Sequence, residues 1–294
     1  MARSSTLTAL IQAMRPKHWV KNVFVLAALV FAHQLDDPRS VSLALAAFVV
    51  FCLISSAVYL INDIADRDAD RLHPVKKKRP IASGRLPVRT AGIAAFVLAA
   101  ASLLPSLAIS APFAAVTTTY LLSNLAYSLA LKRVVILDVM IVASGFLLRA
   151  WAGSVAIGVE MSHWLVLCTA LIALFLGFVK RRQELVGLRA DAEQRPILRE
   201  YSLPFLDQMI SIVTASSVVA YTLYAFSPEV AEKLGTRWMG VTIPFVLFGI
   251  FRYLYLVYQR GEGESPTIVL LSDGPLIATV VLWGGAVVLA LYVL

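Results

Sequence analysis

Cysteine is nearly absent, with two residues in 294. Cys52 and Cys168 both fall inside apolar runs without metal-like spacing, which excludes a disulfide framework and a zinc site. Histidine is almost as scarce, and the four at 18, 33, 73 and 163 are scattered along the chain. No metal triad and no nucleophile–base pair emerges from them. There is no Walker loop and no Rossmann glycine fingerprint. Charge is scarce too: 15% of residues are charged against 59% hydrophobic, and the mean hydropathy is +0.79. That is more apolar than a soluble core of this length needs, so the chain reads as a membrane protein. A signal-peptide cleavage pattern is missing, and the first apolar run is expected to serve as an uncleaved anchor.

What the chain does have is long apolar runs, at 20–33, 41–61, 91–109, 112–131, 135–157, 163–179, 209–227, 238–258 and 275–294. Most approach the roughly 17–25 residues that cross a bilayer as a helix. The expected fold class is all-α: a polytopic membrane protein, a bundle of about nine transmembrane helices with a cytoplasmic-facing active-site cavity, forming one domain over 1–294. Lys17, Trp19 and Lys21 place the start of the first run in the interface.

Positive charge is sorted by side. With the N-terminus inside, 21 of the 26 Lys and Arg fall in the N-terminal segment and the alternate loops, whereas the other face holds only Arg39, Lys233 and Arg237. The positive-inside rule therefore expects a multi-pass protein of the cell (inner or plasma) membrane, N-terminus cytoplasmic and C-terminus outside. The net charge of +8 is mainly this topology signal, and nucleic acid is not an expected partner without a soluble domain to carry it. The two long cytoplasmic loops, 62–90 and 180–208, each begin with a charged cluster at the end of an apolar run. They lie four spans apart, as two related halves facing one cavity would.

The first cluster reads Asn62-Asp63-Ile64-Ala65-Asp66-Arg67-Asp68-Ala69-Asp70 and runs into Lys76-Lys77-Lys78-Arg79. On a continuous helix Asp70 returns to within about 20° of Asp63, with Asp66 about 60° aside and Asp68 about 140° away. Asn62 sits on a neighbouring flank. Like charges a turn apart repel, so such a column needs a counter-ion. Magnesium suits it, because it takes oxygen ligands and completes its shell with water and substrate phosphates. The plainer alternative is a solvated acidic loop paired with its own lysines.

This cluster resembles the first aspartate-rich motif of the UbiA-type superfamily of intramembrane transferases, bundles of about nine helices. Arg15-Pro16-Lys17-His18-Trp19-Val20-Lys21-Asn22, Asp70-Arg71-Leu72-His73-Pro74 through Lys76, Arg79-Pro80-Ile81-Ala82-Ser83-Gly84, Tyr127 to Lys132, and Leu148-Arg149-Ala150-Trp151-Ala152-Gly153 resemble one branch, the polyprenyl-phosphate phosphoribosyltransferases. The resemblance implies transfer of the 5-phosphoribosyl group from 5-phosphoribosyl 1-diphosphate to a polyprenyl (decaprenyl) phosphate, with release of pyrophosphate. It also implies Mg2+ on Asp63, Asp66 and Asp70 as the catalytic set, and a product that feeds cell-wall arabinan. Membrane lipids are further partners, and a homo-oligomer is compatible with the sequence. The acidic strand-to-loop signature of soluble phosphoribosyltransferases is absent, so any such activity rests on a membrane scaffold.

Ordinary prenyltransferases of the superfamily carry a second aspartate motif after the sixth span. Here that place reads Lys180-Arg181-Arg182-Gln183-Glu184. Fixed cations suit a reaction between two anions, a lipid phosphate and phosphoribosyl pyrophosphate; alternatively these three only mark a cytoplasmic helix end. Glu184 shares a helical face with Lys180 and would orient it. Lys21, Lys76 and Arg79 are candidates for the phosphates, with Asn62 hydrogen-bonding nearby. Arg149, inside an apolar run, must face a polar cavity or an ion-pair partner. Asn124, Tyr127 and Lys132 gather at the end of the fourth run, and Asp138 is expected to pair with Lys132 or Arg133. Two rival functions are a prenyltransferase acting on an aromatic or other acceptor, and a membrane transporter. The basic second cluster argues against the first, and the gathering of charge at one rim rather than mid-membrane argues against the second.

The helical-face argument separates two aspartates. Asp63→Ala is expected to abolish turnover and Asp68→Ala to leave most of it; comparable rates in an activity assay would sink the argument.

Overall fold

The computed structural model describes residues 6–73, 75–187, 196–263 and 266–293. Arg3, Pro74, Arg189 and Arg195, all used in the sequence reading, lie outside the described residues. Among those described the chain is all-helical. The order is α1 (Thr6–Met14), a 3₁₀ helix (Pro16–Leu26), α2 (Ala27–Phe31), α3 (Pro38–Ala65), α4 (Arg67–Leu72), α5 (Val88–Ile109), α6 (Ala111–Leu129) and α7 (Leu137–Ile157). There follow α8 (His163–Gly187), α9 (Pro196–Arg199), α10 (Leu203–Phe226), α11 (Pro228–Leu234), α12 (Ile243–Gln259), α13 (Pro266–Ser272) and α14 (Gly274–Tyr292).

The helix starts are written locally. Asp37, Ser110, Ser202, Ser227 and Asp273 each accept a backbone N–H of the first turn, and each is followed by proline within two residues. A capping oxygen satisfies an orphan donor, and proline there has no N–H to waste. Asp273 also takes both Nε and Nη2 of Arg252, at 3.2 and 2.8 Å. That guanidinium holds its carboxyl below the usual carboxylate range.

Among the described residues seven helices are long and apolar enough to cross a membrane. α6 is as long as α14 but is not among the seven; Thr117, Thr118, Thr119, Ser123 and Asn124 lower its hydropathy. The first apolar run departs from expectation. It is not one α-helix but the 3₁₀ helix Pro16–Leu26 continued by the short α2.

Two apolar clusters correspond to the two halves. Phe51, Ile54, Phe113 and Ala152 join α3, α6 and α7 around Val25 of the 3₁₀ helix. Phe175, Val179, Leu206, Ile210 and Leu256 join α8, α10 and α12. The 3₁₀ helix meets α7 backbone to side: a Cβ on Gly153 would lie 1.8 Å from the Val25 carbonyl oxygen. Only glycine fits there. Gly153→Ala should therefore lower stability by about 1–3 kcal/mol, the usual cost of overpacking, seen as a lower apparent melting temperature in detergent. Gly92→Ala, where an added Cβ meets nothing within 4 Å, is the control expected to cause no loss.

Candidate functional site

α3 delivers Asn62 and Asp63 at its last turn, and the chain then breaks at Asp66, whose φ is −94° and ψ 6°. The aspartates thus do not ride one continuous helix as the spacing predicted. Across the break Asp63 and Asp70 share one partner: Arg79 Nη1 donates to Asp63 Oδ1 at 3.1 Å and to Asp70 Oδ2 at 2.6 Å. Asp66 instead accepts from Lys132 Nζ at 2.5 Å. Asp68 is exposed, as expected, with Arg71 at 3.8 Å. Asn62 accepts from the Ser128 hydroxyl.

Asp63 is the centre. It is 1% exposed, and its Oδ1 takes a second guanidinium, Arg15 Nη2, at 2.5 Å. Its Oδ2 is buried and receives no hydrogen bond among the described residues. The sequence reading missed Arg15 as a site residue. Its signal was local: Arg15 precedes Pro16, which disfavours the helical conformation before it, and its φ of 55° ends α1 and turns the side chain toward α3.

The second cluster is divided by the structure. Arg181, 5% exposed, donates to Asp138 Oδ2 at 2.6 Å, Glu184 Oε2 at 2.5 Å and the Tyr127 hydroxyl at 3.0 Å. Arg182 donates to Asp207 at 2.5 Å and lies 4.2 Å from the Tyr258 ring centroid. Lys180 is half-buried, 4.0 Å from Glu184. Lys180 is within electrostatic reach of His18 and Lys21, and His18 in turn of Arg15 and Arg79. Asp138 pairs with Arg181 rather than with Lys132 or Arg133. Its Oδ1 accepts from Tyr201, 2.6 Å away, and burial together with that bond pushes the Tyr201 phenol up. The reason is proximity in the bundle: α7 packs against α8, and Lys132 is already spent on Asp66.

The remaining candidates are inside the protein. Arg149 finds uncharged partners: Asn22 Oδ1 at 2.8 Å, the Gly145 carbonyl at 2.7 Å and the Tyr120 hydroxyl at 2.7 Å. Asn124 donates to the Tyr120 carbonyl of its own helix at 2.8 Å. Lys76 sits half-buried in the loop, its backbone N–H donating to His73 Nδ1 at 3.3 Å.

Among the described residues no three His, Cys, Asp or Glu side chains form a group that could hold a metal ion on their own. A cation needing one or two carboxylates and filling the rest of its shell with water and phosphate oxygens still fits. The orphan Oδ2 of Asp63, with Asp70 beside it and Asn62 adjacent, supplies that donor set.

The model of the UbiA prenyltransferase family matches residues 22–272. The chain belongs to that family. A decaprenyl-phosphate phosphoribosyltransferase of Mycolicibacterium smegmatis is 39% identical, the alignment covering 97% of this chain and 93% of that protein. One of Corynebacterium glutamicum is 38% identical over 97% of this chain and 87% of that protein. Among solved structures, a UbiA homolog from Archaeoglobus fulgidus bound to GPP and Mg2+ superposes with a TM-score of 0.74 at 20% identity, covering 95% of this chain and 99% of that one. That likeness shows the fold, an integral-membrane helical bundle.

In this UbiA-family bundle Arg181 is the cation whose loss strands buried acid. Arg181→Ala is expected to cost about 3–5 kcal/mol, because Asp138 would be left buried without its counter-charge. A second change, Asp138→Asn, should recover part of that loss, as read by thermal unfolding in detergent.

Proposed function

We propose that this chain transfers the 5-phosphoribosyl group from 5-phosphoribosyl 1-diphosphate to a polyprenyl phosphate. The relatives named as decaprenyl-phosphate phosphoribosyltransferases support this over 97% of the chain. The observation that carries it is the distribution of charge: buried acid at Asp63 and Asp70, and cations, not a second acid cluster, on the opposing α8. Glu184, the lone acid in that stretch, is taken up by Arg181.

Asp63 and Asp70 form the metal-holding pair, with Asn62 at its edge, while Asp66, expected with them from the sequence, is paired with Lys132 instead. A magnesium ion held by Asp63 and Asp70 would supply positive charge for the departing pyrophosphate. Arg15, Arg79, Lys76 and Lys132 surround the acids and bind phosphate oxygens of the donor, arginine by paired hydrogen bonds and lysine as a point charge. Lys21 and Lys180 face the lipid phosphate. Arg181, Tyr127 and Glu184 form the wall that fixes Lys180, and Asn124 and Arg149 shape the helices behind it. An oxygen of the lipid phosphate attacks the ribose C1 as the bond from C1 to pyrophosphate breaks. The nucleophile is already ionised at neutral pH, so no side chain has to act as general base. The protein contributes position and charge.

The site opens to the cytoplasm, with the N-terminus on that side and the C-terminus outside, across nine passes within one domain. Seven are the long apolar helices and the eighth is α6. The ninth is the 3₁₀ helix with α2: rising about 2.0 Å per residue in the first part and 1.5 Å in the second, the pair spans about 30 Å, the depth of the hydrocarbon core.

The test is direct. Purified protein, magnesium, labelled 5-phosphoribosyl 1-diphosphate and a polyprenyl phosphate should put label into the organic phase, and EDTA should abolish it. No transfer, together with activity on a prenyl diphosphate and an aromatic acceptor, would overturn the proposal.

A further inference from the structure

Between Lys17 and Val25 the 3₁₀ helix Pro16–Leu26 shows a rhythm of three in its exposure, from which only the end residues depart, Pro16 exposed and Leu26 half-buried. Lys17, Val20 and Val23 are exposed; Arg15, His18, Lys21 and Phe24 are half-buried; Trp19 is half-buried and Asn22 and Val25 are fully buried along the third line. A 3₁₀ helix turns about 120° per residue, so residues three apart eclipse and each set is a straight stripe. Wound as an α-helix at about 100° per residue, the same segment would carry Lys21 about 60° away from His18; Arg15, the left-handed residue just before the helix, reaches the same side by its own turn.

The middle stripe is cationic and looks at the site. Arg15 holds Asp63 and lies 5.0 Å from the Tyr59 ring centroid. His18 packs on the same ring at 5.7 Å, and its buried Nδ1 has no hydrogen-bond partner among the described residues. Lys21, a further turn along, is within electrostatic reach of Lys180. The inner stripe is what fixes the winding. Trp19 Nε1 donates to Ser56 Oγ at 3.0 Å. Asn22 Nδ2 lies 3.3 Å from both Cys52 Sγ and Ser55 Oγ, while its Oδ1 accepts from Arg149 Nε at 2.8 Å. Val25 rests on Gly153. Arg149 is 5% exposed, and every partner it has among the described residues is neutral, with the Tyr120 and Phe146 rings at 4.8 and 5.4 Å. A long 3₁₀ stretch has poorer hydrogen bonds than an α-helix, so it persists where side chains lock it.

We propose that Arg149, acting through Asn22, is a positioning residue that holds this segment in its 3₁₀ winding, and that the His18–Lys21 end of the stripe so formed, beside Lys180, is the seat of the acceptor's phosphate monoester. The proposal rests on the transfer reaction proposed above. Two anionic reactants need two separate sets of cations, and the stripe supplies the second set at a distance fixed by helical rise. It also distinguishes Arg149 from a residue that touches substrate.

The experiment has a structural and a kinetic arm. Single cysteines are placed along 17–26 in a Cys52→Ser, Cys168→Ser background, and their reactivity with a thiol reagent is mapped. The expected pattern has 17, 20 and 23 reacting together, with a period of three. Asn22→Ala and Arg149→Ala should each shift the period toward 3.6. In the kinetic arm each should raise KM for the polyprenyl phosphate at least about tenfold, the worth of a buried bond to a charged group, with KM for 5-phosphoribosyl 1-diphosphate changed far less. The double variant should be no worse than either single one, because both break one contact. A period of 3.6 in the parent protein, additive losses, or an unchanged lipid KM would each overturn the proposal. The mapping needs no turnover, so a chain without phosphoribosyl transfer would refute the reaction while the winding was still measured.

Discussion

A carboxylate out of reach of water has to be given positive charge by the protein or by what it binds. Asp63 meets that condition with Arg15 on one side and Arg79 on the other. Those two contacts tie the N-terminal segment and the loop after α4 to the end of α3, so that three stretches distant in sequence converge on one oxygen. Asp70 shares Arg79, and Asp66 draws in Lys132. The first half of the bundle is closed by these bonds at its charged rim, as its apolar cluster closes it within. The second oxygen of Asp63 is buried and has no hydrogen-bond partner among the described residues.

The same rule organises the second half differently. There the cations are on the helix and most of the acids come from elsewhere: Asp138 from α7 and Asp207 from α10, with Glu184 of α8 itself completing the shell of Arg181. Burial leaves Arg181 no alternative to full compensation, because an uncompensated ion in that environment is more costly than the pair. Lys180, a residue earlier and more exposed, escapes that demand. Two consecutive residues of α8 thus differ in depth: Arg181 is 5% exposed and fully compensated, whereas Lys180 is half-buried beside Glu184.

Much of this was legible in the residues. Apolar runs located the long helices, and the charged residues at their ends marked two clusters, at the end of α3 and on α8. The exposed position of Asp68 and the sharing of Arg79 by Asp63 and Asp70 are in keeping with helical spacing. Spacing did not foresee the end of α3 at Asp66 or its pairing with Lys132, 66 positions away, because that cation is brought there only by the packing of the helices. It failed again for Asp138, whose near-sequence lysine and arginine looked sufficient until the packing of α7 on α8 supplied Arg181. Arg149 could be seen to need a partner, but Asn22, 127 positions away, could not be identified as that partner.

By itself, the sequence determined what is local or additive: a membrane-spanning all-helical chain, the sidedness of its charge, the acid-rich end of α3 and the resemblance carried by contiguous motifs. Only the tertiary structure decided which cation neutralises which acid and how the first apolar run is wound. The physical reason is that hydrophobic length and helix capping depend on neighbours within a few residues. Ion pairing in a low-dielectric interior depends on distances of a few ångströms between groups that the chain brings together from its far ends.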